Sequence, residues 1–423
     1  MNAKVFHADL WDLRENKYDW LLEHEIKTTD WQQLSPKSEF YLFVPRDEKL
    51  LERYGKYIKI PDIFPVNSVG IVTARDKLTI SWSPEGVWTT IVNFSKMDIE
   101  LARMSYNLGK DVRDWKVELA QKDILESGLD RNKIVPILYR PFDVRFTYYT
   151  GKSRGFHCMP RPDVMRHMMQ ENLGLCIGRA GQVVGLEKPW NIVFCSDYIE
   201  DLNLFYRGGN VNFPLYLYPT IDKKDLFSHI NSGERQPNIA PGVFLTINEI
   251  YTKKSAPEDI FYYIYAVLYS TIYRTKYAEF LKTDFPRVPF TKDYKLFREI
   301  GVLGKKLADL HLLNSPELDH PISKFPIEGE RTVETPKYDE ENNRIYINRI
   351  QYFDSVPQDV WEYQIGGYQV CHKWLKDRKG RKLLLDDIRH YCGIVTSIHK
   401  TIEIQRGIDE IYPEIERDMI VSW

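Results

Sequence analysis

Apolar residues in the middle of the chain occur in short runs separated by turn formers. Runs rich in β-branched and aromatic residues predict strands at residues 134–139, 144–149, 173–177, 192–194 and 213–218. One short helix is predicted between them at residues 162–170, where Pro162 suits a first helical turn. A strand-rich central region is therefore expected.

The apolar residues of the last third repeat with a helical period. Residues 259–282 and 294–313 each carry an apolar stripe, and the extended segment around Pro286 and Pro289 separates them. This pattern predicts a long helical hairpin. Gly301 and Gly304 lie one turn apart and would allow another element to approach closely. A terminal helix is predicted from Asp386, after a short strand at residues 344–348.

The first 130 residues mix short elements. Residues 1–80 predict strands and loops, with segments 4–10 and 40–44 able to pair in a sheet. Two helices are predicted at 98–108 and 111–125, because each begins with an Asp that can cap free N–H groups. The expected fold class is α+β, with a strand-rich central domain braced by the helical hairpin and the terminal helix. The predicted divisions are 1–130, 131–240, 241–330 and 331–423.

Composition indicates a folded protein of more than one domain. The chain has 423 residues, 43% of them hydrophobic and 13% aromatic. No apolar run approaches the ~20 residues that span a bilayer, and the N-terminus lacks the apolar core of a signal peptide. The five cysteines form no C-x-x-C pair. We therefore expect a cytoplasmic protein without a membrane partner.

Positive charge is concentrated in one window. Between Arg131 and Trp190 there are ten Lys or Arg against four Asp or Glu, whereas the rest of the chain has 48 against 56. Such a band attracts a phosphate backbone, although a solvated face can have the same composition. The side chains that we predict to contact DNA here, through phosphates or base edges, are Arg140, Arg145, Tyr148, Tyr149, Lys152, Arg154, Arg161, Arg166, Arg179 and Gln182.

A second basic run lies near the C-terminus. Residues 373–382 contain six cations and one acid, and Lys373, Lys376, Arg378 and Lys379 are further candidates for DNA contact. Cations also favour the C-terminal end of a helix, and Gly380 would end that helix. Both interpretations stay open, and they are compatible.

Common catalytic motifs are absent from the sequence. It contains no P-loop, no H-E-x-x-H and no G-x-S-x-G elbow, and no metal site is predicted. The glycine-rich segment from Gly174 to Gly185 does not have the spacing of a dinucleotide fingerprint. It predicts either a plain hairpin, which we favour, or a turn or strand pair whose backbone can approach a groove closely. No nucleophile and base are spaced as a catalytic pair, so no catalytic residue is predicted.

The basic segments carry a family resemblance. The chain resembles the C-terminal part of Type ISP restriction-modification enzymes, which combine nuclease, ATPase, adenine methyltransferase and target-recognition regions. The resemblance rests on ordered blocks that include Tyr139-Arg140-Pro141-Phe142-Asp143, Tyr148-Tyr149-Thr150-Gly151, Arg161-Pro162, Phe213-Pro214-Leu215-Tyr216, Asp284-Phe285-Pro286-Arg287-Val288-Pro289 and Lys373-Trp374-Leu375-Lys376-Asp377-Arg378-Lys379-Gly380.

The resemblance implies a target-recognition region at 131–240, preceded by a methyltransferase tail and helical coupler at 1–130. It implies two partners, duplex DNA and a methyltransferase domain or subunit of the same system. The family's methyltransferase, ATPase and nuclease motifs have no counterpart in this sequence. The chain is therefore not expected to methylate, translocate or cut by itself. S-adenosylmethionine, ATP and Mg are implied only for the intact enzyme, and no cofactor is expected in this chain.

Two alternative functions, each from a different functional class, remain. One is a self-contained DNA-modifying enzyme, methyltransferase-like, with its site between Gly174 and Gly185. The other is a protein–protein scaffold whose basic face docks an acidic partner. From the sequence we expect that changing Arg145 or Arg154 to Ala weakens duplex binding.

Overall fold

The computed structural model describes residues 3–36, 41, 43–45, 47–178, 189–207, 209–219 and 234–423. The chain forms two compact units, Met1–Gly55 and Lys56–Trp423. The predicted divisions at residues 130, 240 and 330 stay predictions. No helix in these described ranges combines the length and apolar character needed to cross a membrane.

The first unit is built from two short strands and two helices. Its elements are β1 (Val5–His7), α1 (Arg14–Glu23), β2 (Gln32–Leu34) and α2 (Glu48–Gly55). Strand β1 pairs antiparallel with β2, and Phe6 lies opposite Gln33. The expected sheet pairing of segments 4–10 and 40–44 stays a prediction, because residues 40 and 42 lie outside the described residues. Apolar runs suggested that pairing, whereas the observed partner strand is mostly polar.

The second unit begins with short strands and a group of helices. These elements are β3 (Ile58–Lys59), α3 (Ile60–Ile63), β4 (Ser68–Val69), α4 (Asp76–Thr79), α5 (Pro84–Lys96), α6 (Ile99–Ser105) and α7 (Val117–Ser127). Helix α5 was not predicted, although Ser83 caps it by accepting from Gly86 N–H at 3.2 Å. Asp98 caps α6 as expected. The next helix starts at Val117, six residues later than predicted, and Asp111 accepts the Val117 N–H from outside it.

The central region forms two larger sheets and one two-stranded sheet. Its elements are β5 (Ile134–Arg140), β6 (Asp143–Tyr148), α8 (Pro162–Met168), β7 (Gly174–Gly178), β8 (Val193–Ser196), β9 (Ile199–Glu200), β10 (Asn210–Pro214), β11 (Tyr216–Leu217) and β12 (Gln236–Pro237). One sheet has the order β4-β10-β7-β8, all antiparallel, and the other has the order β6-β5-β9, with β5 and β9 parallel. The predicted strand-rich centre is confirmed.

The helical region follows. Its elements are α9 (Pro241–Tyr251), α10 (Pro257–Tyr269), α11 (Thr271–Lys276), α12 (Ala278–Leu281), β13 (Arg287–Val288) and α13 (Tyr294–His311). The single helix predicted at 259–282 is wrong, because three helices occupy that segment. Ser270 has extended backbone angles there, and its side chain accepts from Tyr273 N–H at 3.1 Å to start α11. Strand β13 pairs with β3.

The chain ends in a small sheet and a long helix. The elements are β14 (Lys337–Asp339), β15 (Arg344–Tyr346), β16 (Tyr352–Phe353), α14 (Gln358–Glu362), β17 (Gln364–Ile365), β18 (Tyr368–Gln369), α15 (Val370–Asp377) and α16 (Leu385–Ile415). Helix α13 packs between α10 and α16. The α+β fold class is confirmed, with β6 and α15 from distant parts of the sequence inside the same unit.

Tyrosines and cysteines contribute to the core of the second unit. Tyr263, Tyr265, Tyr269, Tyr273 and Tyr277 are fully buried or nearly so. Their hydroxyls bond to internal partners, as Tyr265 does to His311 Nδ1 at 2.6 Å. The five cysteines are free and buried, as expected of incidental thiols.

Candidate nucleic-acid interface

The turn between β5 and β6 places the first cations. Phe142 occupies a left-handed conformation (φ 62°) that a bulky residue rarely adopts. Its ring packs edge-on against Phe194 at a centroid distance of 5.1 Å, and its carbonyl lies 2.8 Å from His390 Nε2. These contacts hold the turn, so that Asp143 and Arg145 leave it on the same side of β6.

Asp143 joins the two basic segments. Its carboxylate accepts from Arg145 Nη2 at 2.7 Å and Nε at 3.1 Å, and from Arg378 Nη2 at 2.9 Å. Asp143 is only 2% exposed. Burial alone would raise the pKa of this carboxyl, but the charges of Arg378 and Arg145 outweigh it and the pKa is lowered. The ionised Asp143 carboxylate therefore lies between two guanidinium groups and binds both.

A second carboxylate and an indole complete this cluster. Asp377 accepts from Arg145 Nη2 at 3.1 Å and from Lys373 Nζ at 2.5 Å. The guanidinium carbons of Arg145, Arg381 and Arg378 lie 3.8, 4.0 and 4.5 Å from the ring centroid of Trp82. We call Trp82, Asp143, Arg145, Asp377, Arg378 and Arg381 the Asp143 cluster.

Arg140 lies in a separate buried pair. Its Nη1 donates to Asp201 Oδ1 at 2.8 Å, and its guanidinium stacks on Tyr139 at 3.7 Å. Burial raises the pKa of Asp201 to about 6, against the lowering effect of the Arg140 charge. Burial lowers the pKa of Arg140, but the Asp201 charge reverses this and the net direction is upward. Arg140 thus balances a charge inside the protein.

Three predicted DNA contacts are consequently internal. Arg140, Arg145 and Arg378 are 7%, 9% and 5% exposed. Each of these guanidinium groups donates to a carboxylate of the same chain. Tyr148 and Tyr149 are buried as well, and their hydroxyls donate to the carbonyls of Gly128 and Pro160.

The rim of the Asp143 cluster presents free cations. Lys376 and Lys379 are exposed, and within the described part of the chain neither side chain has an ion-pair partner. Burial lowers the pKa of the half-buried Arg381, whose buried Nη1 has no hydrogen-bond partner among the described residues. Around the Asp143 cluster, the exposed Lys376 and Lys379 therefore supply accessible charge next to the buried guanidinium groups of Arg145 and Arg378.

The remaining predicted contacts lie elsewhere. Lys152 is exposed and pairs with Glu126, and Arg154 is exposed with Asp114 at 4.0 Å. Arg161 starts α8 with φ 56°, and Arg166 Nη1 donates to the Tyr218 carbonyl at 2.9 Å. Arg179 and Gln182 lie outside the described residues. Direct DNA contact by any residue named from the sequence stays a prediction.

Sequence reasoning missed the residues that organise the site. Trp82, Asp143 and Asp377 were not singled out, and Arg381 was not chosen from its basic run. The spacing of Asp143 and Arg145 on one strand face was an available signal for their pairing. No local signal pairs Asp143 with Arg378. Within the described ranges, no three His, Cys, Asp or Glu side chains are grouped as a metal would require.

Comparison with known families decides the classification. The family described as Type ISP C-terminal specificity domain matches residues 62–406. The chain belongs to this family. The match contains the whole Asp143 cluster of the specificity domain, and the first unit lies outside it. No curated protein matches the chain.

Three solved structures have folds similar to this specificity domain. A cryoEM structure of a DrdV–DNA complex superposes with a TM-score of 0.68 at 21% identity, covering 94% of this chain and 42% of that one. A nuclease-deletion mutant of the Type ISP restriction-modification enzyme LlaGI with a DNA substrate mimic gives 0.65 at 22%, covering 96% and 39%. The ATP-dependent Type ISP enzyme LlaBIII bound to DNA gives 0.64 at 20%, covering 89% and 25%. The chain thus spans less than half the length of each.

Proposed function

We propose that the chain is the sequence-specific duplex DNA recognition module of a restriction-modification enzyme. It selects the site at which other parts of the system methylate adenine and cleave. The membership in a specificity-domain family supports this role, and the three similar folds come from DNA complexes. In those enzymes, more than half of the chain lies outside the matched part.

One observation carries the proposal at the level of residues. The basic segments around Arg145 and Arg378 converge on Asp143 although the chain separates them widely. The buried guanidiniums fix β6 against the end of α15, and Lys376 and Lys379 extend from that rigid base into solvent. Exposed ammonium groups on a fixed frame suit the phosphate contacts that set the register of a protein on DNA.

The proposal divides the predicted contacts into two groups. Lys376 and Lys379 form a phosphate-binding rim, and the buried Arg145 and Arg378 support it from inside. S-adenosylmethionine, ATP and Mg act in parts of the system outside this chain, and a methyltransferase domain or subunit is the protein partner. The site of action is the bacterial cytoplasm.

Duplex binding by the full chain tests the proposal. Fluorescence anisotropy with a short labelled duplex at several salt concentrations would measure affinity for the wild type and for the double variant Lys376→Ala/Lys379→Ala. Removing two phosphate contacts should reduce the slope of log affinity against log salt by about one per lysine. Lys306→Ala removes an exposed lysine of α13 and serves as the control. Equal slopes in wild type and double variant would remove the rim from the interface.

Sequence selectivity needs a separate measurement. Selection from a randomised duplex pool by the wild-type chain should enrich one common sequence. A pool that stays random, with binding that salt abolishes, would contradict a role in target recognition.

A further inference from the structure

A buried carboxylate holds both ends of a short exposed loop. The loop, residues 150–156, follows β6, and Asp123 of α7 lies beneath it with no exposed surface. Asp123 Oδ2 accepts from Thr150 Oγ1 at 2.8 Å and from the Phe156 N–H at 2.8 Å. Ser127 Oγ donates to the other oxygen at 3.1 Å. One side chain therefore closes the loop at its base.

Packing restricts the loop further. A Cβ on Gly155 would lie 2.1 Å from Asp123 Oδ2, so only glycine fits against the carboxylate. Phe156 is fully buried, and its carbonyl accepts from Trp115 Nε1 at 3.2 Å. The backbone that leaves the loop is thus anchored in the core.

The tip of the loop presents polar groups to solvent. Lys152, Ser153 and Arg154 are its three exposed residues. Arg154 has φ 56°, a left-handed conformation that is unfavourable for a residue other than glycine. Its N–H donates to the Cys158 carbonyl at 2.9 Å, which maintains this conformation. Uncommon backbone conformations of this kind concentrate at functional sites.

The Arg154 guanidinium is available for another partner. Its side chain is 67% exposed, and Asp114 lies at the 4.0 Å limit of an ion pair. Asp114 already binds Arg113 at 3.0 and 2.9 Å through both oxygens. Arg154 is therefore not committed within the protein, in contrast to Arg140, Arg145 and Arg378.

We propose that Arg154 reads guanine through the O6 and N7 atoms of its major-groove edge, and that Asp123 is a positioning residue for it. The guanidinium fork fits those two acceptors, which an ammonium group does not match. A loop held at both ends loses little conformational freedom on binding, which favours discrimination. This inference rests on the proposed function, and it names a specificity-determining residue within it.

The test starts from the duplex that the wild-type chain enriches from a randomised pool. Affinities for that duplex and for duplexes with one G·C pair replaced give the discrimination of each variant. Arg154→Ala should lose about tenfold in discrimination at one G·C position. Arg154→Lys should restore affinity at low salt but not discrimination. Lys306→Ala removes an exposed lysine of α13, outside the loop, and should leave discrimination unchanged.

The positioning role of Asp123 is tested by the same measurement, the ratio of affinities for the selected duplex and for the duplex with the replaced G·C pair. Asp123→Asn keeps the size of the side chain but turns one acceptor into a donor facing the loop. Discrimination should fall while low-salt affinity for an arbitrary duplex is retained. Thr150→Val removes a single hydrogen bond to Asp123 and should lower discrimination less than Asp123→Asn does. If Asp123→Asn does not fold, Thr150→Val tests the positioning role of Asp123 instead.

The outcomes separate the two proposals. If the wild-type chain binds no duplex, the proposed function fails. If it selects a sequence and Arg154→Ala discriminates as well as wild type, the loop assignment alone is overturned. Unchanged discrimination in folded Asp123→Asn, or in Thr150→Val if Asp123→Asn does not fold, would remove the positioning role.

Discussion

Asp143 accepts a hydrogen bond from Arg378 at 2.9 Å although 235 residues separate them in the chain. Both side chains are almost completely buried, at 2% and 5% exposure. Strand β6 and the end of α15 are thus held together by a charge pair in a low-dielectric setting, where such a pair must stay complete.

Removing the Asp143 carboxylate should destabilise the protein strongly. Asp143→Ala leaves Arg145 and Arg378 close together without their shared counter-ion, and breaking a buried pair in this way costs about 3–5 kcal/mol. Urea unfolding followed by circular dichroism would measure the free energy of unfolding. Asp386→Ala removes the carboxylate of an exposed pair with Arg389 and should change that free energy by about 0–1 kcal/mol. Equal effects would show that the Asp143 cluster contributes no special stability.

Trp82 should stabilise the folded protein through the face of its ring rather than through its indole N–H. Three guanidinium groups lie within 4.5 Å of its centroid. Trp82→Ala should lower the free energy of unfolding by about 2–4 kcal/mol, since packing and cation–π contacts are lost together. Trp82→Phe keeps an aromatic face and should retain at least half of that difference. A loss in Trp82→Phe equal to that in Trp82→Ala would argue against a stacking role. Thermal melts of the three proteins provide the comparison.

Helices α10 and α13 should tolerate a side chain at Gly301 but not at Gly304. A Cβ at Gly304 would lie 1.8 Å from the Tyr262 carbonyl oxygen, whereas one at Gly301 meets only the Asp259 carbonyl oxygen at 3.8 Å. Gly304→Ala should cost about 1–3 kcal/mol by forcing the helices apart. Gly301→Ala should be neutral or stabilising by about 0.5–1 kcal/mol, because alanine favours a helix. Similar melting temperatures for both variants would disprove the close approach.

Glu200 should make stability fall as pH rises. Burial raises its pKa from 4.5 to about 8, against the lowering effect of the hydrogen bond from Asn212. The folded state therefore holds a proton that the unfolded state releases. Its contribution to stability is complete below about pH 4.5 and is lost as pH rises to about 8.

Substitution of Glu200 by glutamine tests this sign. Glu200→Gln keeps the acceptor for Asn212 without an ionisable group, so its melting temperature should fall less than that of wild type between about pH 5 and pH 8. Glu118→Gln changes an exposed carboxylate of α7 and should follow the wild-type profile. Parallel profiles for Glu200→Gln and wild type would exclude Glu200 as the cause.

Local pattern predicted many elements but not their junctions. The β-branched runs located β5, β6 and β7, and the apolar stripe located α13. The continuous stripe after Asp259 concealed the break at Ser270, where one side-chain hydrogen bond starts a new helix. Helix α5 was missed despite Ser83 and Pro84, which are ordinary signals for a helix start. Pattern thus identified periodic segments better than the single residues that interrupt them.

For the candidate interface, too, the sequence predicted some features and missed others. Charge density along the sequence identified both basic runs, and Arg145 of the first run meets Arg378 of the second at Asp143. Whether a given cation is free was not visible, since Arg145 and Lys379 look alike in a linear count. Arg145 is buried against Asp143, and Lys379 is exposed.

The sequence by itself determined the α+β class, the basic character of two segments and the resemblance to a recognition region, because composition and periodicity are local properties. Tertiary structure alone decided which charges face solvent. A carboxylate neutralises a guanidinium through their distance in space, and the distance between Asp143 and Arg378 follows from how β6 and α15 pack, which is not encoded in either segment alone.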